Sequence, residues 1–193
     1  TAFLGFPIFT GLAITVHLII PVFFNDQWLG SIDIIRILSF AMIFHVLTAG
    51  ISTSLLYSVN KPNRVLIIDL IITIKYLLVL LLFNSYGLVI ILIINCIYII
   101  CKAIVLQFFV GRVLNFSIFE YLNIFKTIVI STLSMSLVVI IMQHTLLSDY
   151  PNLIKLVVSV FTGIIVYTSV QWLLDRYKLR KILLYIFGTD KIN

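Results

Sequence analysis

Six long apolar runs dominate the chain and leave it few folds to choose from: Phe3–Phe24, Ile32–Tyr57, Val65–Phe83, Tyr86–Val110, Tyr121–Met142 and Leu153–Leu174. Each approaches or exceeds the ~20 residues that cross a hydrocarbon core of roughly 30 Å at about 1.5 Å per helical residue. The runs are about twice as long as a barrel strand and keep no alternation of period two, so helices are expected rather than a barrel. The turns between them are short and polar, which predicts antiparallel neighbours in an up-down bundle. The expected fold is all-α: a polytopic integral membrane bundle of six transmembrane helices, spanning about 3–24, 32–57, 65–83, 86–110, 118–142 and 152–174.

Composition agrees. Hydrophobic residues make up 62% of the chain and charged residues 10%, against roughly 25% charged in a soluble domain. Mean hydropathy is +1.23. Lipid must therefore cover most of the surface. The net charge of +6 lies in short turns and a tail, not on one face, which argues against a nucleic-acid partner. Cys96 and Cys101, five apart, lie about 140° from each other around a helix, and no Cys/His cluster exists, so neither a disulfide nor a metal site is expected. No cofactor is expected.

Local signals set the helix ends. Ser117-Ile-Phe-Glu120 reads as a capping box, so the fifth helix should begin near Ile118. Pro151 suits the opening of the sixth. Pro21, in the last turns of the first helix, should kink or loosen it.

Lys and Arg predict the orientation. If the turns 25–31, 84–85 and 143–152 are outside, that side has Lys155 alone nearby. The other side collects Lys61, Arg64, Lys102, Arg112, Lys126, Arg176, Lys178, Arg180, Lys181 and Lys191. Both ends of the chain are then cytoplasmic. Residues 175–193 form a basic tail in which Leu179, Ile182, Leu183 and Ile186 give a short interfacial helix on the lipid surface.

Polar side chains at membrane depth are costly and therefore informative. Asp33 and Arg36 can pair at i, i+3, and Arg36 could stand at the mouth of a cavity. Asp69, Thr73 and Tyr76 form a polar stripe on the third helix, with Lys75 about 100° from Tyr76. Lys75 is the most informative residue, because at mid-span it cannot easily snorkel. It either flanks a substrate cavity or pairs with a carboxylate on another helix. Asn95, Tyr98 and Lys102 form a similar stripe on the fourth helix. Thr127, Ser131 and Ser134 read as interhelical hydrogen bonding and close packing, as does the small-residue series Gly50, Ser54, Ser58. His17 reads as a packing residue. The candidate substrate pathway is thus Arg36, Asp69, Thr73, Lys75, Tyr76, Asn95 and Lys102. No loop is large enough for a catalytic base and metal, and no P-loop or nucleophile motif occurs, so no enzyme is expected within these spans.

Phe6–Trp28 (FPIFTGLAITVHLIIPVFFNDQW), Ile35–Ser39 (IRILS) and Ser54–Asn63 (SLLYSVNKPN) together resemble the C-terminal half of Wzx-like polysaccharide exporters. These are lipid-linked oligosaccharide flippases of the MOP superfamily, related to the MATE drug transporters. Asn60 stands where that family often has Gly. The resemblance implies two helical lobes around a central cavity, alternating access and a bacterial cytoplasmic-membrane location. Its implied partners are membrane lipids, an isoprenoid diphosphate-linked oligosaccharide, and an N-terminal transmembrane half of the same protein. The opening on Thr1, with no Met before Met42, is read as a fragment. Two other functions stay open: a MATE-type cation-coupled exporter, and part of a membrane glycosyltransferase or polymerase.

Overall fold

Straight-chain and β-branched apolar residues fill the runs, and in lipid an isolated segment satisfies its backbone groups only as a helix. The computed structural model describes residues 2–47, 57, 62–114 and 118–175. Among these residues there are six α-helices and no strand: α1 (Ala2–Phe23), α2 (Ser31–Leu47), α3 (Pro62–Phe83), α4 (Leu88–Leu114), α5 (Ile118–Thr145) and α6 (Asn152–Leu174). Five of them, all but α2, contain stretches long and apolar enough to cross a membrane, so the chain is a multi-pass helical membrane protein. Lys61, the small residues Gly50, Ser54 and Ser58, Ser117 of the capping box and the 176–193 tail lie outside the described residues.

Helix α1 is the hub and packs against α2, α5 and α6. Phe6 of α1 stacks on Phe125 of α5 with ring centroids 6.4 Å apart, beside Ala2 and Val46. A second cluster joins Met135 and Val139 of α5 to Tyr167 of α6, whose ring tilts against Phe3. Pro21 supplies no N–H to the carbonyl of His17, yet α1 continues to Phe23. Pro151 caps α6 with φ −59°, so that helix starts at the next residue.

Helices α3 and α4 form a hairpin whose tip is Asn84–Tyr86 and Gly87, the latter at φ 88°, a conformation glycine adopts without a Cβ clash. Among the described residues α4 docks on α2, while α3 packs chiefly on α4. Among the described side chains of α3 only Val65 is buried. Ile71, Ile74, Leu77, Leu78, Leu81 and Leu82 all face outward.

Four hydroxyls in the middle of α5 bond their own helix. Ser131 donates to the Thr127 carbonyl, Thr132 to Ile128, Ser134 to Ile130 and Ser136 to Thr132. The interhelical bonds expected of Ser131 and Ser134 are thus replaced by bonds one turn back, the cheapest acceptor for a short hydroxyl in a helix. Three hydrogen bonds tie α5 and α6 to each other or to α1, and one of them is a weak hydroxyl–sulfur contact from Thr162 to Met142 Sδ at 3.4 Å. Gln143 of α5 donates to the Ser159 hydroxyl of α6 at 2.9 Å in a buried position. Tyr167 donates to the Phe3 carbonyl of α1 at 2.7 Å.

Candidate functional site

Six of the seven residues expected along a substrate pathway fall on the α3–α4 hairpin, and Arg36 does not. On α3, Asp69 and Tyr76 lie along the partly buried stripe that runs from Val65 to Phe83 and faces α4. On α4, Asn95 and Lys102 are separated by seven residues, two turns of one helix side, with Tyr98 between them. Lys102 Nζ donates to Asp69 Oδ1 at 2.5 Å, joining the two helices. The Lys102 side chain is 22% exposed and that of Asp69 48%, so the pair sits at the rim of the helix contact and not within it.

The Tyr98 hydroxyl is buried and makes no hydrogen bond among the described residues. It lies close enough to Asp69 for the carboxylate's charge to act on it. Lysine, carboxylate and phenol thus gather on one level of the hairpin. Thr73 turns away and donates to the Asp69 carbonyl of its own helix at 2.9 Å.

Lys75 lies about 80° around α3 from the α4-facing stripe, one residue before Tyr76. It is exposed, and among the described residues it has no ion-pair partner. It stands six residues, about 9 Å, along the helix from Asp69. The sequence motifs that drew attention to the two helices therefore separate into a paired group at the α3–α4 contact and one unpaired lysine on the outer flank.

Arg36 belongs to a different neighbourhood. It pairs with Asp33 at 3.4 Å, as the i, i+3 spacing predicts, and its Nε donates to the Ala13 carbonyl of α1 at 3.4 Å. His17, one turn along α1 from Ala13, is exposed, and the charges of Arg36, His144 and Lys155 reach it. Basic side chains from α2, α5 and α6 thus lie within electrostatic reach of His17 on α1. Sequence alone did not join them, because each belongs to a different run.

Sequence reasoning also missed a groove of about 480 Å³ between α1, α5 and α6, lined by Leu4, Ile8, Gly11, Val139, Gly163 and Ile164 among others. Its walls are nearly all apolar, and its three buried hydroxyls are already engaged: Thr15 donates to the Gly11 carbonyl, Tyr167 donates to the Phe3 carbonyl, and Ser159 accepts from Gln143. The small residues of both helices were the available signal. Among the described residues no group of three His, Cys, Asp or Glu could hold a metal, and Cys96 and Cys101 are both free thiols.

Comparison with models of protein families, with curated proteins and with solved structures finds no match to this chain.

Proposed function

We propose that this chain is the C-terminal lobe of a polysaccharide exporter. It would move an isoprenoid diphosphate-linked oligosaccharide across the bacterial cytoplasmic membrane by alternating access, with both chain ends on the cytoplasmic side. The observation that supports this most directly is the hairpin charge arrangement: Lys102 held to Asp69, and Lys75 unpaired nearby on an exposed flank. A lysine in mid-span is expensive unless something anionic or aqueous meets it. A diphosphate is such a group, and Lys102 is already positioned by Asp69 to exchange one anionic partner for another. Lys is a point charge with three rotatable donors, suited to a phosphate that must also leave.

In this reading Lys75 and Lys102 contact the head group, Asp69 holds Lys102 between cycles, and Tyr76 and Asn95 line the wall beside Lys102. The test is Lys75→Ala in the natural protein. Surface polysaccharide should be lost while the protein remains in the membrane at its normal level, and unchanged polysaccharide at normal level would refute the reading. A second reading is favoured by the half-exposed Asp69 carboxylate: a cation-coupled exporter of drugs or metabolites. Loss of drug efflux with no change in polysaccharide on deleting the gene would select it.

A further inference from the structure

Lys75 occupies the middle of α3. It is thirteen residues from Pro62 and eight from Phe83, or roughly 19 Å and 12 Å along the axis. Helical side chains lean toward the N-terminus, which for Lys75 is the farther end. Its ammonium therefore cannot reach an interface along its own helix. Ile71, Leu78 and Leu82 share its side of α3, and all three are exposed. An uncompensated lysine at this depth is costly, so an anionic or aqueous partner is expected to meet it.

Among the described residues no acid meets it. The chain has seven Asp and Glu residues. Asp26 and Asp149 lie in turns between helices, Asp33 and Glu120 in the first turns of α2 and α5, and Asp175 just after α6. Asp190 follows the last span, beside Lys191. Residues 48–61 and 115–117 contain no acid. Asp69 alone lies inside a span, and it is bound to Lys102. A second copy of the chain would bring only these same groups, with its own Asp69 equally engaged.

We propose that the Ile71–Lys75–Leu78 face of α3 packs in the membrane against a transmembrane helix of a partner segment that carries an Asp or Glu level with Lys75. The carboxylate neutralises the lysine, and the apolar residues a turn to either side pack on the same helix. The contact does not depend on what the protein transports. It would hold equally if the face lines a pathway, with the carboxylate facing Lys75 when no anionic ligand is bound.

The experiment places a photo-reactive amino acid at Ile71, and separately at Leu78, of the natural protein in its own membrane. The cross-linked peptide is then identified by mass spectrometry. The expected product is an apolar helix with a mid-span Asp or Glu. Its yield should fall at least several-fold in Lys75→Met and in Lys75→Glu, and persist in Lys75→Arg. Replacing the identified acid by Lys should restore the product in the Lys75→Glu background. Adducts to lipid alone, to α3 of another copy, or to a helix without a mid-span acid would overturn the proposal. So would a yield indifferent to Lys75→Met in protein present at normal level.

Discussion

Lys102 of α4 donates to the Asp69 carboxylate of α3 at 2.5 Å, the one ion pair among the described residues that joins two helices. Among the described residues α3 meets the bundle chiefly through α4, and this pair lies at that contact. In lipid the hydrophobic effect does not press helices together, so a polar link of this kind weighs more than its surface equivalent in water.

Breaking one side of that link should cost more than removing both. Asp69→Asn or Lys102→Met leaves an uncompensated charge, whereas the double variant leaves none. With Asp69 half exposed, the single variants should lose about 1 kcal/mol, well below the value for a fully buried pair. Thermal unfolding in detergent measures this. Losses that simply add in the double variant would show that the two side chains act independently.

Gly5 and Gly11 lie on the same helix and should respond oppositely to alanine. A Cβ at Gly5 would stand 2.9 Å from Val46 Cγ2, and the stiff β-branched Val46 has little room to yield. A Cβ at Gly11 meets nothing within 4 Å. Gly5→Ala should therefore destabilise the α1–α2 contact by about 1–2 kcal/mol, and Val46→Ala should relieve it. Gly11→Ala should be neutral or stabilising by up to ~1 kcal/mol through helix propensity. Melting of Gly5→Ala, Gly5→Ala combined with Val46→Ala, and Gly11→Ala in detergent tests both signs.

The buried Gln143–Ser159 bond predicts another non-additive pair. Ser159→Ala strands the Gln143 amide between α5 and α6, and should cost about 0.6–1.7 kcal/mol. Gln143→Leu combined with Ser159→Ala removes both polar groups and should recover most of that loss. Chemical denaturation in mixed micelles separates the two outcomes.

The helices were legible in the sequence because length and hydropathy alone dictate a span, and the Asp33–Arg36 pair because its spacing is local. What joins the helices was not. Asp69 and Lys102 were each recognised as polar residues in apolar runs, but their partnership is set by the register of the α3–α4 hairpin, which no local spacing encodes. Gln143 read as the start of a turn, since an amide at a span's edge looks solvated until α5 is seen to continue to Thr145. The serines of α5 looked like interhelical donors because composition does not reveal that a hydroxyl will bond back to its own turn. Lys75 was singled out as a mid-span cation, and its exposed position on α3 turned that into a question about what lies across from it.

The most direct measurement of transport is the leaflet distribution of the lipid-linked oligosaccharide in cells that carry, lack or alter this chain. The proposed function predicts that deletion, and Lys75→Ala at normal membrane level, trap the lipid-linked precursor on the cytoplasmic leaflet and deplete surface polysaccharide. An unchanged leaflet distribution with normal surface polysaccharide in both strains would contradict it.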